Sequence, residues 1–265
     1  MGPPSGFSGP KLRPGETFGL IENIPLEIYY FAGIIFLACF VQAVAGFGLP
    51  MIAMPILVGM FGIRTAAPLM AIIIVELQIL MIARYGRDLN LRTVWRISAA
   101  AIAGIPIGVL LLSRIPEAIT VTLMGLMLVF YALYSFFRTR VFSLKSPHWA
   151  YFFGFLGGMG GGAYNMAAPP MIIYGDTQRW SPEEFKGNLQ GYFLIITSVT
   201  ILTHSLSGNM SGEILQKGLI AVPFVVLGAL AGFYLDRFIN PDLFRKIVLA
   251  LLLVLGLNLA LNWSR

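Results

Sequence analysis

The chain has 265 residues, 57% of them hydrophobic and only 11% charged, with a mean hydropathy of +0.81. A soluble domain carries about 25% charged residues, so the composition excludes an ordinary water-soluble fold and points to an all-α, polytopic membrane protein. The formal net charge of +6 does not mark a nucleic-acid surface, because the basic residues fall between apolar runs, as topology signals do.

Residues 1–25 are rich in Gly and Pro and are expected to form an N-terminal tail. They lack the pattern of a signal peptide, and Gly6 stands where a myristoylation signal needs Ser or Thr. Segment 1 is expected from Ile28 to Ala45, and segment 2, Pro50 to Gly62, is short for a bilayer that needs about 20 helical residues. Segment 3 runs from Thr65 to Ala83, segment 4 from Ile97 to Leu112 with a kink at Pro106, and segment 5 from Ala118 to Phe137. The order then recurs. Segment 6 is expected from His148 to Met166, segment 7 is a short piece from Pro169 to about Gly175, and segment 8 runs from Pro182 to Leu206. Segments 9 and 10 cover Ile214–Leu235 and Leu243–Asn262.

The chain therefore divides into a first transmembrane repeat over 26–140, a connector over 141–147 and a second repeat over 148–265. Five segments per half make the two repeats inverted, with the second and seventh segments short and broken. If all ten segments cross, twelve of the 18 Lys and Arg fall on one side, namely Arg84, Arg87, Arg92, Arg96, Arg138, Arg140, Lys145, Arg179, Lys186, Arg237, Arg245 and Lys246. Lys11, Arg13, Arg64, Arg114, Lys217 and Arg265 fall on the other, which puts the first set in the cytoplasm and both termini outside. Counting each long–short pair as one broken crossing gives eight spans and a weaker bias of eleven to seven.

Two interruptions organise the chain. Residues 154–174, GFLGGMGGGAYNMAAPPMIIY, combine a glycine cluster with Pro169–Pro170. No continuous helix is expected to survive there, since interior Gly costs about 1 kcal/mol and Pro about 3 kcal/mol. A weaker version spans Gln42 to Pro50 and contains Gly46, Phe47 and Gly48. Irregular backbone at membrane depth is tolerated where it is buried in protein or lines a cavity, and paired breaks in two halves point to a transporter binding site. The alternative for the glycines is close helix packing. Pro50 and Pro169/Pro170 suit the first helical positions of the short segments, whose N-termini are ready anion sites.

The Gly158–Gly162 cluster, the string PPMIIY at 169–174 and FKGNLQGYF at 185–193 resemble the sulfite/organosulfonate exporter family TauE/SafE. The first-half AGFGLP at 45–50 with Pro55 is similar to that family's first repeat. Over about residues 30–260 the resemblance implies a bacterial or archaeal cytoplasmic-membrane secondary transporter for a sulfur-containing anion, such as sulfite or an organosulfonate.

Polar residues within the spans refine the expected site. Gln42 and Asn165 each lie one turn before a break, and Asn188, Gln190 and Tyr192 lie in the first half of segment 8. Amide and phenol donors can bind sulfonate oxygens without a buried charge, and helix–helix hydrogen bonding is their alternative use. The substrate-binding set is thus Gln42, Gly46, Phe47, Gly48, Asn165, Pro169, Pro170, Asn188, Gln190 and Tyr192. Glu76, an intramembrane carboxylate, is the candidate for proton coupling; its alternative is pairing with Arg84 or snorkelling. His204, close to the end of segment 8, is expected at the membrane interface.

No metal and no cofactor are expected. Cys39 is the lone cysteine, and His148 and His204 form no His-Glu-x-x-His motif, which excludes a zinc protease of that type. The expected partners are a small anionic substrate, the lipid bilayer and a coupling ion, proton or sodium, with the chain a monomer or a homodimer. A passive anion channel or a carboxylate transporter remains the alternative.

Overall fold

The computed structural model describes residues 26–137, 144, 146–178 and 180–262. The tail 1–25, most of the connector 141–147, and Lys11, Arg13, Arg138, Arg140, Lys145, Arg179 and Arg265 lie outside the described residues.

Among the described residues the chain forms ten α-helices and no strand. They are α1 (Leu26–Ala45), α2 (Leu49–Phe61), α3 (Ile63–Tyr85), α4 (Leu91–Arg114), α5 (Glu117–Phe137), α6 (His148–Tyr164), α7 (Ala168–Gln178), α8 (Pro182–Leu206), α9 (Gly212–Leu235) and α10 (Pro241–Asn262). Short 3-10 turns, Gly86–Asp88 and Asp236–Phe238, follow α3 and α9. Seven helices, α1, α3, α4, α5, α8, α9 and α10, are long and apolar enough to cross a membrane. The α2, α6 and α7 helices are shorter, at 13, 17 and 11 residues.

Local chemistry sets several boundaries. Asn90 caps α4, accepting from Thr93 N–H at 3.2 Å, so this helix begins six residues before the expected Ile97. Ser181 and Glu184 form a reciprocal capping box at the start of α8. Ser211 accepts from Ile214 N–H to open α9.

The connectors gather at two ends. At one end Asn90 N–H donates to Asn188 Oδ1 at 2.7 Å, Gln178 Nε2 donates to Leu144 O at 3.0 Å, and Lys186 pairs with Asp236 at 3.4 Å. These contacts join the α3–α4, α5–α6, α7–α8 and α9–α10 links. At the other end Ile63 N–H donates to Glu117 Oε1 at 2.8 Å, which ties the start of α3 to the start of α5. There too, Arg64, Leu112, Ser113 and Asn209 share one cleft. The first end holds Arg84, Arg87, Arg92, Arg96, Lys186, Arg237, Arg245 and Lys246, and the second holds Arg64, Arg114 and Lys217.

Packing pairs helices from opposite halves. The α6 helix packs on α4, α1 on α9, α5 on α10 and α3 on α8; α4 also meets α8, and α9 meets α3. The glycine cluster explains the closest of these pairs and corrects an expectation. The α6 helix runs unbroken through Gly157–Gly162 to Tyr164. Gly154, Gly158 and Gly162, spaced one turn apart, lie against the carbonyl oxygens of Ile97, Ala101 and Ile105 on α4, where an added Cβ would overlap them. Gly104 and Gly108 of α4 receive the Phe155 and Met159 carbonyls in return. On the other side, Gly157 accommodates the Tyr192 hydroxyl and Gly161 the Ile196 side chain. Backbone contact on the α4 face and side-chain packing from α8 on the other offset the helix-propensity cost of the glycines. The break itself falls later, at Asn165–Ala167.

Candidate functional site

The first interruption is a reversal built on two glycines. Gly46 and Gly48 take φ of +83° and +126°, conformations that side-chain-bearing residues rarely adopt. Gly46 N–H closes α1 on Gln42 O at 2.8 Å, and Gln42 Oε1 accepts from Leu49 N–H at 3.0 Å, supplying the first turn of α2 with a cap. Gln190 Nε2 on α8 donates to Gly46 O at 2.8 Å. Gln42 and Gln190 therefore fix the break from two helices.

The second interruption turns on Asn165, which has φ of 57° and ends α6 in the left-handed conformation. Its N–H reaches Gly161 O at 2.9 Å and Met166 N–H reaches Gly160 O at 3.0 Å, satisfying carbonyls at the helix end. Asn165 Nδ2 donates to Ala67 O on α3 at 2.7 Å. Proline follows the first residue of each short helix, Pro50 after Leu49 and Pro169–Pro170 after Ala168.

The two breaks meet. Gln42, Gly48 and Pro50 line one cavity with Gly161, Asn165, Ala167 and Ala168, and α8 contributes Phe193, Ile196, Thr197 and Thr200. The N-terminal turns of α2 and α7 thus converge on the same space. Its volume is about 20 Å³, room for a single water, so the breaks are in a closed arrangement. Gln42 Nε2 and Thr200 Oγ1 are buried there without a hydrogen-bond partner. A second, open cavity of about 610 Å³ lies at the basic end. Val44, Ala45 and Phe47 line it, together with Trp180, Phe185, Lys186, Asp236, Phe244 and Arg245. The reversal at residues 46–48 is the partition between the two spaces, with chain neighbours facing each side.

Of the expected substrate-binding residues, Gln42, Gly48 and Asn165 reach the closed cavity. Phe47 lines the open vestibule and meets the Tyr131 ring edge-on at 6.2 Å. Gly46 and Gln190 shape the partition through their mutual hydrogen bond. Pro169 and Pro170 sit within the first turn of α7 and do not line either space. Asn188 is directed elsewhere, accepting from Asn90 N–H at the α3–α4 link. Tyr192 is fully buried against Gly157, with its hydroxyl unpartnered and outside the lining.

Glu76 is half-buried on α3 and its Oε2 has no partner, but the neighbouring residue that lines the cavity is Ile74. Gln78, on the same helix, is completely buried with both amide atoms unpartnered. His204 lies in the last turn of α8, and its ring is buried inside the protein, with Nδ1 3.2 Å from Asn209 Nδ2 and Nε2 unpartnered. Sequence reasoning missed Thr197 and Thr200. The signal was available, because Gln190, Phe193, Thr197, Thr200 and His204 recur at three- and four-residue steps along one face of α8.

The profile of the sulfite exporter TauE/SafE family matches residues 31–259. The probable sulfite/organosulfonate exporter TauE of Cupriavidus necator is 27% identical over 229 residues, covering 83% of this chain and 88% of that protein. No solved structure matches the chain. A multi-pass arrangement of apolar helices and a family match across nearly the whole length make this a membrane transporter rather than an enzyme, and the chain belongs to the sulfite exporter TauE/SafE family.

Proposed function

We propose that the protein is a secondary transporter that moves a sulfur-containing anion, of organosulfonate or sulfite type, across the cytoplasmic membrane by alternating access. The anion binds where the N-termini of α2 and α7 converge, with Gln42 Nε2 and Thr200 Oγ1 as additional donors. The observation that carries this reading is the shared lining of one closed cavity by both interrupted segments. Helix N-termini supply N–H groups and partial positive charge, so an anion can be held there although the lining contains no Lys or Arg. The cavity holds about one water, so binding a sulfonate requires the breaks to part, as a carrier cycle demands.

Residues 26–140 and 148–265 act as two inverted five-helix repeats in this proposal. Exchanging the halves, α1 for α6 and so on in order, maps α1–α9 packing onto α6–α4, and α4–α8 onto α9–α3. The pairs α3–α8 and α5–α10 map onto themselves. That symmetry supports ten chain passes with the basic end in the cytoplasm. Glu76 is the proton carrier, supported by a carboxylate oxygen buried without a partner on a membrane-spanning helix.

The test is thermal stabilisation of the purified protein by sulfite, isethionate, taurine, sulfate and acetate. Ligand at 100 times its Kd stabilises by about 2.7 kcal/mol. A response to sulfite or sulfonates that is lost in Gln42→Glu supports the site. A flat panel, or a response to acetate alone, removes the sulfur-anion assignment. Proteoliposomes separate a carrier from a passive channel, because only a coupled carrier accumulates the anion beyond its own electrochemical gradient.

A further inference from the structure

The vestibule at the basic end contains an ion pair that the closed cavity does not use. Lys186 lies one turn before Gln190 on α8, so its stem packs against the reversal that Gln190 holds. A Cβ placed on Gly46 would find Lys186 Cγ at 3.4 Å. The ammonium extends into the vestibule, 3.4 Å from Asp236 Oδ2 and 5.2 Å from the Tyr85 ring centroid. Asp236 opens the 3-10 turn that joins α9 to α10. Beyond that turn, Ile239, Pro241, Phe244 and Arg245 form one wall of the same space. Arg245 forms no ion pair with another described residue, and a second carboxylate, Asp176, lines the same space. The pair is only partly covered, with side-chain exposures of 24% and 28%, so solvent and solutes reach it.

We propose that Lys186 receives the transported anion in the vestibule, that Arg245 joins it there, and that Asp236 is a resident carboxylate which the anion displaces. This deepens the anion-transporter reading and rests on it. Exchange of one anionic partner for another leaves the Lys186 ammonium paired throughout, and the freed Asp236 carboxylate, 28% exposed, is taken up by solvent. A ligand shifts a conformational equilibrium only by binding one state better than the other. Here the difference is explicit, because the bound anion and Asp236 compete for the same ammonium. Displacement unlatches the α9–α10 corner from α8, directly above the Gly46 partition. Delivery of the anion to the break and loosening of the vestibule wall are then one event. The aromatic side chains of Phe47, Trp180, Phe185 and Phe244 receive the organic body of a sulfonate in a space of about 610 Å³.

The experiment compares isethionate and sulfite binding and flux for the wild type, Lys186→Gln, Lys186→Arg and Asp236→Asn in proteoliposomes. Lys186→Gln raises the apparent Kd about tenfold or more, as loss of a charge-assisted contact does, and Lys186→Arg restores much of the affinity. Asp236→Asn lowers the apparent Kd about two- to fivefold, the scale of a partly exposed ion pair, while slowing net flux because the empty protein loses its closing contact. Opposite shifts in affinity from the two partners support the proposal. A structural salt bridge predicts losses of the same sign for both variants, and that result overturns it. Unchanged affinity in both variants, with a wild type that binds, overturns it while leaving the transporter reading intact. A wild type that binds neither anion removes both. If Lys186→Gln does not fold, Arg245→Gln is measured instead, and a Kd equal to the wild-type value overturns the shared site.

Discussion

At the scale of single residues, the Gln42 amide divides its two ends between structure and ligand. Its oxygen caps Leu49 N–H, while Nε2 remains buried without a partner in the lining of the closed cavity. Gln42→Ala removes both functions and leaves a buried N–H unsatisfied, so a stability loss of about 1–3 kcal/mol is expected together with loss of anion binding. Gln42→Glu keeps an acceptor for Leu49 N–H but adds a negative charge beside the anion site, so binding is lost with a smaller change in melting temperature. Comparing thermal unfolding and isethionate stabilisation for the two variants separates the roles; equal destabilisation by both would refute the division. Glu76 invites a different measurement. If it carries the coupling proton, Glu76→Gln transports at a rate independent of an imposed pH gradient, and retention of gradient-driven uptake in that variant excludes the role.

Among the elements, the long apolar segments were legible in the sequence because about 20 apolar residues in a row have few alternatives. Both interruptions were legible too, through Gly46, Gly48, Pro50, Pro169 and Pro170. The exact position of the second was not. Composition alone makes Gly157–Gly162 look like the break, yet those glycines are helical because α4 presents carbonyls to one face and α8 presents Tyr192 and Ile196 to the other. Tertiary contact overrode propensity, and the contact joins residues far apart in the chain. The same limit applies to Asn188, whose amide reads as a donor for substrate but whose partner is a link between two other helices. Gly158→Leu tests the packing account: the side chain must force α6 away from Ala101 of α4, and a loss of at least about 1–3 kcal/mol is expected. An unchanged thermal unfolding midpoint would show that the helices are not in backbone contact.

For the whole molecule, the distribution of basic residues and the end at which each connector lies are the basis of the proposed sided topology. Cys39 is completely buried, so the unmodified protein offers no accessible thiol and single introduced cysteines can be read against a silent background. Arg87→Cys, at the basic end, is expected to react with an impermeant maleimide only from the cytoplasmic side. Glu213→Cys, at the start of α9, is expected to react only from outside. Labelling of both from the same face would reject the ten-pass arrangement.

The glycine seams have a mechanical consequence. Where backbone lies directly on backbone, as between α6 and α4 and, at Gly228 and Gly232, between α9 and α1, there are no side chains whose rotamers could absorb sliding. Each seam therefore moves as one piece, and each joins a helix of the first half to a helix of the second. In the proposed alternating-access cycle, the bodies that separate are therefore not the two halves of the sequence. On that proposal they are composite blocks, one carrying α1 and α9 and the other α4 and α6, and the plane between them runs where α3, packed on α9, meets α8, packed on α4. The polar stripe of α8 lies on that plane, so a cargo moving along it would be handed between two blocks that each contain part of both repeats.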